Sequence, residues 1–231
     1  MNIDLNSDLG EGCGLDADLM PLVTSANISC GFHAGNASTA RAALKLAKQH
    51  GVQVGAHPGY ADREHFGRRE HHLGSEELYQ LCSSQVLALI NMALAEGITI
   101  RYIKPHGALY NQAVVDDDIA GELVQTADVI GLPLMCLPGS RVEALCKGRI
   151  GFIAEGFADR RYRPDGTLVP RTESNAFVHD VDEAVAQADW LVRERGIQSL
   201  CVHGDNPQAL AFVRGLRDAF TRHGISIRAF A

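Results

Sequence analysis

The sequence predicts an α/β protein built as a parallel β/α barrel of seven strands, or eight if a weak C-terminal run joins the ring. Two observations carry this. Short apolar runs alternate with helix-like stretches along all 231 residues, as in successive βαβ units. Ionisable residues recur just after those runs, at the strand ends where a β/α barrel carries its chemistry. An open doubly wound sheet is the alternative for the same alternation. The length suits one domain over residues 1–231, and the chain shows no internal repeat, low-complexity tract or linker.

The runs expected as strands are 2–6, 25–30, 52–56, 100–105, 133–137, 150–155, 199–203 and, weakly, 225–229. In the first, Ile3 and Leu5 alternate with Asp4, Asn6 and Asp8, so the polar side chains share one face. The run leads into Gly10-Glu11-Gly12, where backbone freedom eases the approach of a ligand. Residues 38–50 read as a helix stopped by Gly51. Ser75 is expected to cap a helix that opens with Glu76 and Glu77, carries an apolar stripe from Leu78 to Ala93 and ends at Gly97. A further helix starts near Asp118 and ends at Gly131, and another spans 182–195. Asn206-Pro207 reads as a cap and first-turn pair for a last helix that stops at Gly224. The stretches 57–74 and 156–180 lack helical patterning and are expected to be active-site loops.

A net charge of -7 argues against nucleic-acid or anionic-membrane partners, because binding phosphate takes clustered Lys and Arg. No run is expected to reach bilayer-spanning length, and none before the first strand is expected to act as a leader. The six cysteines form no CxxC pair and no zinc spacing, so they read as mostly buried, reduced thiols of a cytoplasmic protein.

The chemistry-bearing residues cluster at strand ends. Asn27 and His33 follow the second strand and His57 the third. Lys104, His106 and Asn111 follow the fourth, Glu155 and Arg160 the sixth, and His203 and Asp205 the seventh. The remaining histidines, such as His50, His65, His71, His72, His179 and His223, read as surface or packing residues. No GxSxG elbow, GxxxxGK[ST] loop or GxGxxG turn is present, which leaves acid–base or metal chemistry. His33, His57 and one of Asp4 or Asp8 would make a mixed nitrogen and oxygen set for a divalent ion. The same groups could equally act without metal, with Lys104 polarising a carbonyl or meeting a phosphate.

The blocks IDLNSDLGEG (3–12), PLVTSANISCGFHAGN (21–36), GAHPGYADREHFGRR (55–69), IKPHGALYNQA (103–113), EGFADRRYRPDGTLVPR (155–171) and LCVHGDNP (200–207) follow in that order. Together they resemble the LamB/YcsF family, the A subunits of 5-oxoprolinase, over essentially the whole chain. The resemblance implies ATP-dependent opening of the 5-oxo-L-proline (pyroglutamate) lactam to L-glutamate. ATP, with Mg, is the expected co-substrate and leaves as ADP and phosphate. Subunits B and C are the implied partners, and self-association is left open. The implied fold is a seven-stranded barrel related to glycoside hydrolases and polysaccharide deacetylases, which argues against 225–229 as a barrel strand.

On this reading ATP phosphorylates the amide oxygen and water attacks the product. Asp8 or Glu11 orients or deprotonates that water, and His33, His57 and His106 move protons. Lys104 and Arg171 offset phosphate or carboxylate charge. Asp4, Asn6, Asn27, Asn111, Glu155, Arg160, Arg171, His203 and Asp205 are expected to bind substrate, and Asp8, His33 and His57 are the candidate metal ligands. The rivals are a metal-dependent hydrolase, such as a sugar deacetylase, and a ligand-binding regulatory subunit. Two departures stand out against the family. Only Gly196-Ile197-Gln198 joins the 182–195 helix to the next strand, a shortening expected to reshape a cleft rim or a partner contact. Cys13 stands where an aromatic residue is usual.

Overall fold

The computed structural model describes residues 2–206 and 208–230. Seven strands close into a parallel barrel: β1 (Asn2–Leu9), β2 (Ser25–Ser29), β3 (Gln53–His57), β4 (Ile100–Ile103), β5 (Leu134–Cys136), β6 (Phe152–Phe157) and β7 (Ser199–Cys201). β1 closes the ring by pairing with both β2 and β7, Asp8 lying opposite Asn27 and Asn6 opposite Cys201. β8 (Ser226–Ile227) pairs only with Asn2 and Ile3, so the last run forms a strand outside the ring. The helices are α1 (Asp16–Leu19), α2 (Ala37–His50), α3 (Ser75–Ala95), α4 (Gly107–Val115), α5 (Asp117–Ile130), α6 (Arg141–Cys146), α7 (Val181–Glu194) and α8 (Ala209–Arg222).

The apolar core is a shell between sheet and helices. Outward residues such as Ile3, Leu5, Ile28, Val54, Leu134 and Leu200 pack there with Leu44, Val86, Leu123 and Phe212 of the helices. Burying this shell is the main favourable term in folding. The barrel interior is polar instead. Asp4 accepts hydrogen bonds from the hydroxyls of Thr24, Ser25 and Ser199, and one layer higher Asn6 meets Asn27, Glu155 and Ser199. Below these layers Tyr102, Met135 and Ile153 form a small apolar floor that Phe230 joins. Gly55 is required here, because a Cβ on it would lie 2.2 Å from the Tyr102 ring.

Several boundaries differ from expectation. β1 runs through Asp8 rather than stopping at Asn6, because both of its faces are buried. Gly74, not Ser75, is the N-cap of α3, and no side chain caps it. The cap of α5 is Asp116, whose carboxylate accepts the Asp118 and Ile119 amides. Pro207 lies outside the described residues; Asn206 still accepts the Gln208 amide just before α8. α3 corrects another expectation, being long and apolar enough to cross a bilayer, yet Leu78, Cys82, Val86, Leu89 and Ala93 pack into the core shell.

Past the strand ends at His57 and Phe157, the stretches 57–74 and 156–180 are loops apart from a 3-10 turn at Arg63–His65 and antiparallel bridges Arg160–Phe177 and Tyr162–Leu168. The short Gly196–Gln198 connection enters β7 from its N-terminal end, where Gln198 exchanges backbone bonds with Asp4 and Ala154. It therefore cannot reshape the rim of a cleft at the strands' C-terminal ends, which corrects that part of the expectation.

Candidate active site

The site sits at the C-terminal mouth of the barrel in two linked tiers. In the lower tier Lys104 Nζ lies 2.9 Å from Asp8 Oδ1 and 2.7 Å from Glu155 Oε1. Asn27 Nδ2 donates to Asp8 and to Asn6, each at 2.7 Å, and Tyr102 donates its hydroxyl to Asn27. All of these groups are buried. A lone buried ion would be neutralised, but one ammonium between two carboxylates is held charged. Burial alone would raise the Asp8 pKa, yet the nearby His57 and Lys104 hold it well below the usual carboxylate range. Burial likewise favours neutral Lys104, but Asp8, Cys201 and Glu155 push it well above the ordinary lysine value. Among the described residues Glu155 Oε2 has no hydrogen-bond partner.

The upper tier is an imidazole cluster around Glu11. His57 donates Nδ1–H to the Lys104 carbonyl at 2.7 Å, and His106 donates Nε2–H to the Phe66 carbonyl at 2.8 Å. Their other nitrogens face each other at 2.9 Å. His33 stacks on His106, ring centroids 3.8 Å apart and planes 3° from parallel. His33 Nε2 lies 3.2 Å from Glu11 Oε1 and 3.3 Å from Ser29 Oγ. Burial holds both His33 and His106 well below the ordinary histidine value, and burial with Asp8 pushes Glu11 well above its own.

Local backbone makes this crowding feasible. A Cβ on Gly59 would come within 2.8 Å of His33 Nδ1, and one on Gly67 within 2.7 Å of His33 Cβ. Phe66 adopts a left-handed φ of 56°, unusual for an aromatic residue, where its carbonyl meets His106.

At the rim, Asp159 accepts from His203 Nδ1 at 2.9 Å and from Asn206. Burial would raise its pKa, but His203 and Arg171 bring it down to about 2. Arg68 pairs with Asp205, and Arg171 stands 3.9 Å from the same carboxylate. A narrow cleft lined by Asp8, His57, Lys104, His106, Asn111 and Arg171 opens between two larger hollows. One, of about 440 Å³, meets Asp159, Phe177, His203 and Asp205; the other, of about 630 Å³, meets Arg68, Asn111, Arg163 and Leu168.

The fold thus brings together all six expected catalytic residues, Asp8, Glu11, His33, His57, Lys104 and His106. Asn111, Arg171, His203 and Asp205 line the cleft or its hollows. Arg160 reaches the cleft wall, but its guanidinium donates to the Val169 and Ala176 carbonyls and braces the 156–180 loop. Asp4, Asn6, Asn27 and Glu155 need correcting: they lie inside the barrel, fully enclosed, with internal partners rather than a substrate-facing surface. Of the candidate metal trio, His33 and His57 converge, and Asp8 lies 3.5 Å from His57 Nε2. The donor atoms that converge, all within 4.8 Å of one another, belong to Glu11, His33, His57 and His106, while Asp8 groups with Cys201 and His203. Arg68, Asp159 and Phe66 carry no role in the sequence reading, although each sits in a block that carries the family resemblance.

Comparison with known proteins agrees with this architecture. The A subunit of 5-oxoprolinase from Neisseria meningitidis serogroup C is 44% identical over 242 aligned positions, covering 98% of this chain and 99% of the relative. The serogroup A protein of the same name matches equally. The crystal structure of a lactam utilization protein from Thermus thermophilus superposes over the full length of both chains with a TM-score of 0.90 at 38% identity. A family 4 carbohydrate esterase from Streptomyces lividans shares the fold at a TM-score of 0.56 and 15% identity, covering 98% of this chain and 91% of the esterase. Residues 3–231 match the LamB/YcsF family throughout, and the chain belongs to that family.

Proposed function

We propose that this site opens the lactam of 5-oxo-L-proline to L-glutamate in an ATP-dependent reaction, within a complex that also holds subunits B and C. The observation that carries the reading is the Asp8–Lys104 pair at the mouth. It keeps a carboxylate ionised beside a cluster of imidazoles, in a cleft whose rim bears Arg68 and Arg171. The names of the full-length relatives support the substrate class.

A lactam is a poor electrophile, so the amide oxygen attacks the γ-phosphorus of ATP and ADP leaves. Water adds to the activated carbon, the ring C–N bond breaks, and an acyl phosphate forms at the former amide carbon. A second water releases phosphate and leaves the glutamate side-chain carboxylate, so two waters are consumed. Asp8 takes the proton of the attacking water, and its Oδ2 stands 3.5 Å from His57 Nε2 at the edge of the imidazole cluster. Lys104, buried against Asp8 at the cleft wall, keeps that carboxylate ionised. Arg68 and Arg171 at the rim offset the substrate carboxylate and the transferred phosphate. Mg accompanies ATP as its usual counter-ion. Six free thiols suit the cytoplasm.

The test is glutamate formation from 5-oxoproline, ATP and Mg, with and without subunits B and C. Turnover is expected only in the full mixture, and Asp8→Asn is expected to lower it about a hundredfold or more with the fold intact. Equal glutamate from wild type and Asp8→Asn rejects the proposal. So does a mixture that yields none here but works when the Neisseria relative replaces this chain.

A further inference from the structure

The hydrogen bonds of the upper tier leave one interaction unbalanced. A carbonyl oxygen only accepts, so the Lys104 carbonyl fixes the proton of His57 on Nδ1 and the Phe66 carbonyl fixes that of His106 on Nε2. The remaining nitrogens, His57 Nε2 and His106 Nδ1, therefore both present lone pairs, yet they face each other at 2.9 Å in a buried setting. Glu11 Oε1 adds a third set of lone pairs, 3.9 Å from the first nitrogen and 3.4 Å from the second. With Glu11 ionised, three acceptors aim at one point, and either a shared proton or a metal cation must lie between them.

We infer that Glu11, His57 and His106 form a three-ligand site for a divalent transition metal such as zinc, with its fourth position open toward Asp8 and with His33 as a positioning residue rather than a ligand. Tetrahedral coordination at the usual 2.0–2.2 Å sets donor atoms about 3.3 Å apart. The observed separations of 2.9, 3.4 and 3.9 Å bracket that value, so small side-chain shifts suffice. Two imidazoles whose other N–H groups bond backbone carbonyls are the usual outer shell of metal-bound histidine.

His33 is excluded by its stacking. Its plane is parallel to that of His106 and 3.8 Å away, so one ion cannot lie in both rings. Ser29 uses its hydroxyl proton on the Ala34 carbonyl, so its oxygen can only accept from His33 Nε2–H, as can Glu11. His33 thereby orients the Glu11 carboxylate. The other converging group, Asp8, Cys201 and His203, is a poor rival because Lys104 Nζ already sits 3.2 Å from Cys201 Sγ and 2.9 Å from Asp8. A bound ion in the inferred site would supply Lewis acidity next to the Asp8 carboxylate.

Binding is tested without ATP or 5-oxoproline, so its outcome is independent of the lactam reading. Metal-stripped full-length protein carrying Cys13→Ser, which removes the exposed thiol, is titrated with zinc by calorimetry and with cobalt by visible absorption. One equivalent and the intense bands of tetrahedral cobalt are expected. His106→Ala and His57→Ala should each weaken binding roughly a hundredfold or more, and His33→Ala about tenfold to a hundredfold with the tetrahedral spectrum kept. The inference is overturned if the parent protein retains less than a tenth of an equivalent. It is overturned equally if binding survives in the His57→Ala, His106→Ala double variant, or if nitrogen NMR of the metal-saturated parent shows a proton shared between His57 and His106.

Discussion

Asp4 shows how a single carboxyl can cost stability while organising a barrel. It is almost wholly buried, and burial raises its pKa to about 6 despite the hydroxyls of Ser199, Ser25 and Thr24 that favour its charged form. Its ordinary value is 3.8, so the folded state binds this proton more tightly than the unfolded chain. The contribution of Asp4 to stability is therefore greatest below about pH 4 and falls by about 3 kcal/mol as pH rises from there through 6. Asp4→Asn removes that term. Urea unfolding of the two proteins at pH 4.5 and pH 7 should show the wild type losing ground to the variant at the higher pH, and parallel curves would mean that Asp4 stays ionised throughout. Asp4 also marks how far side-chain roles are legible in sequence. The two-residue period puts Asp4, Asn6 and Asp8 on one face, and they do share it. Period alone cannot say which of three successive layers meets solvent, because that depends on the tilt of the other strands. Only Asp8 reaches the cleft. The pairing of His106 with a carbonyl 40 positions away is equally out of reach of sequence.

At the scale of elements, the strands are legible because both sheet faces impose a pattern: apolar residues outward into the core shell and polar residues inward. Helix starts are less so. α2 is secured by Asn36, which accepts the Ser38 and Thr39 amides while Thr39 accepts the Asn36 amide, a reciprocal cap. α3 has no side-chain cap at all and depends on packing instead, so the serine signal misleads by one residue. Short helices such as α4 and α6 carry too few turns to show a period. β3 makes the sharpest element-level prediction. Gly55 looks like a weak point in a strand, yet it is the only residue type that fits under the Tyr102 ring. Gly55→Ala should cost about 3 kcal/mol or more, read as a lower urea midpoint at unchanged slope. Adding Tyr102→Leu should recover part of the loss by vacating the contact; a double variant less stable than both singles would place the strain elsewhere.

The whole molecule separates its ends. The C-terminal mouth holds the ionisable cluster, and the opposite end is closed by Tyr102, Met135 and Ile153 with Phe230 laid against them, 5.2 Å from the Tyr102 ring centre. The Phe230 carbonyl also accepts from Gln53, and the last segment pairs through β8 with the first two residues of β1. The short 196–198 connection enters at this same end, and the Neisseria alignment, at 242 positions against 231 residues, shows that this relative carries residues with no counterpart here. A change at this end should therefore alter stability without reaching the chemistry. Phe230→Ala removes a half-buried aromatic and should lower the unfolding free energy by about 2 kcal/mol. Zinc affinity at the mouth and glutamate formation with the partner subunits should stay within about twofold of wild type, because no polar chain links Phe230 to Asp8 except through Tyr102 and Asn27. Measuring unfolding, metal binding and turnover on one preparation decides the matter. If turnover falls tenfold while the protein stays folded at the assay temperature, the floor sets the position of Asn27 and hence of Asp8, and the two ends are coupled through that hydrogen-bond line.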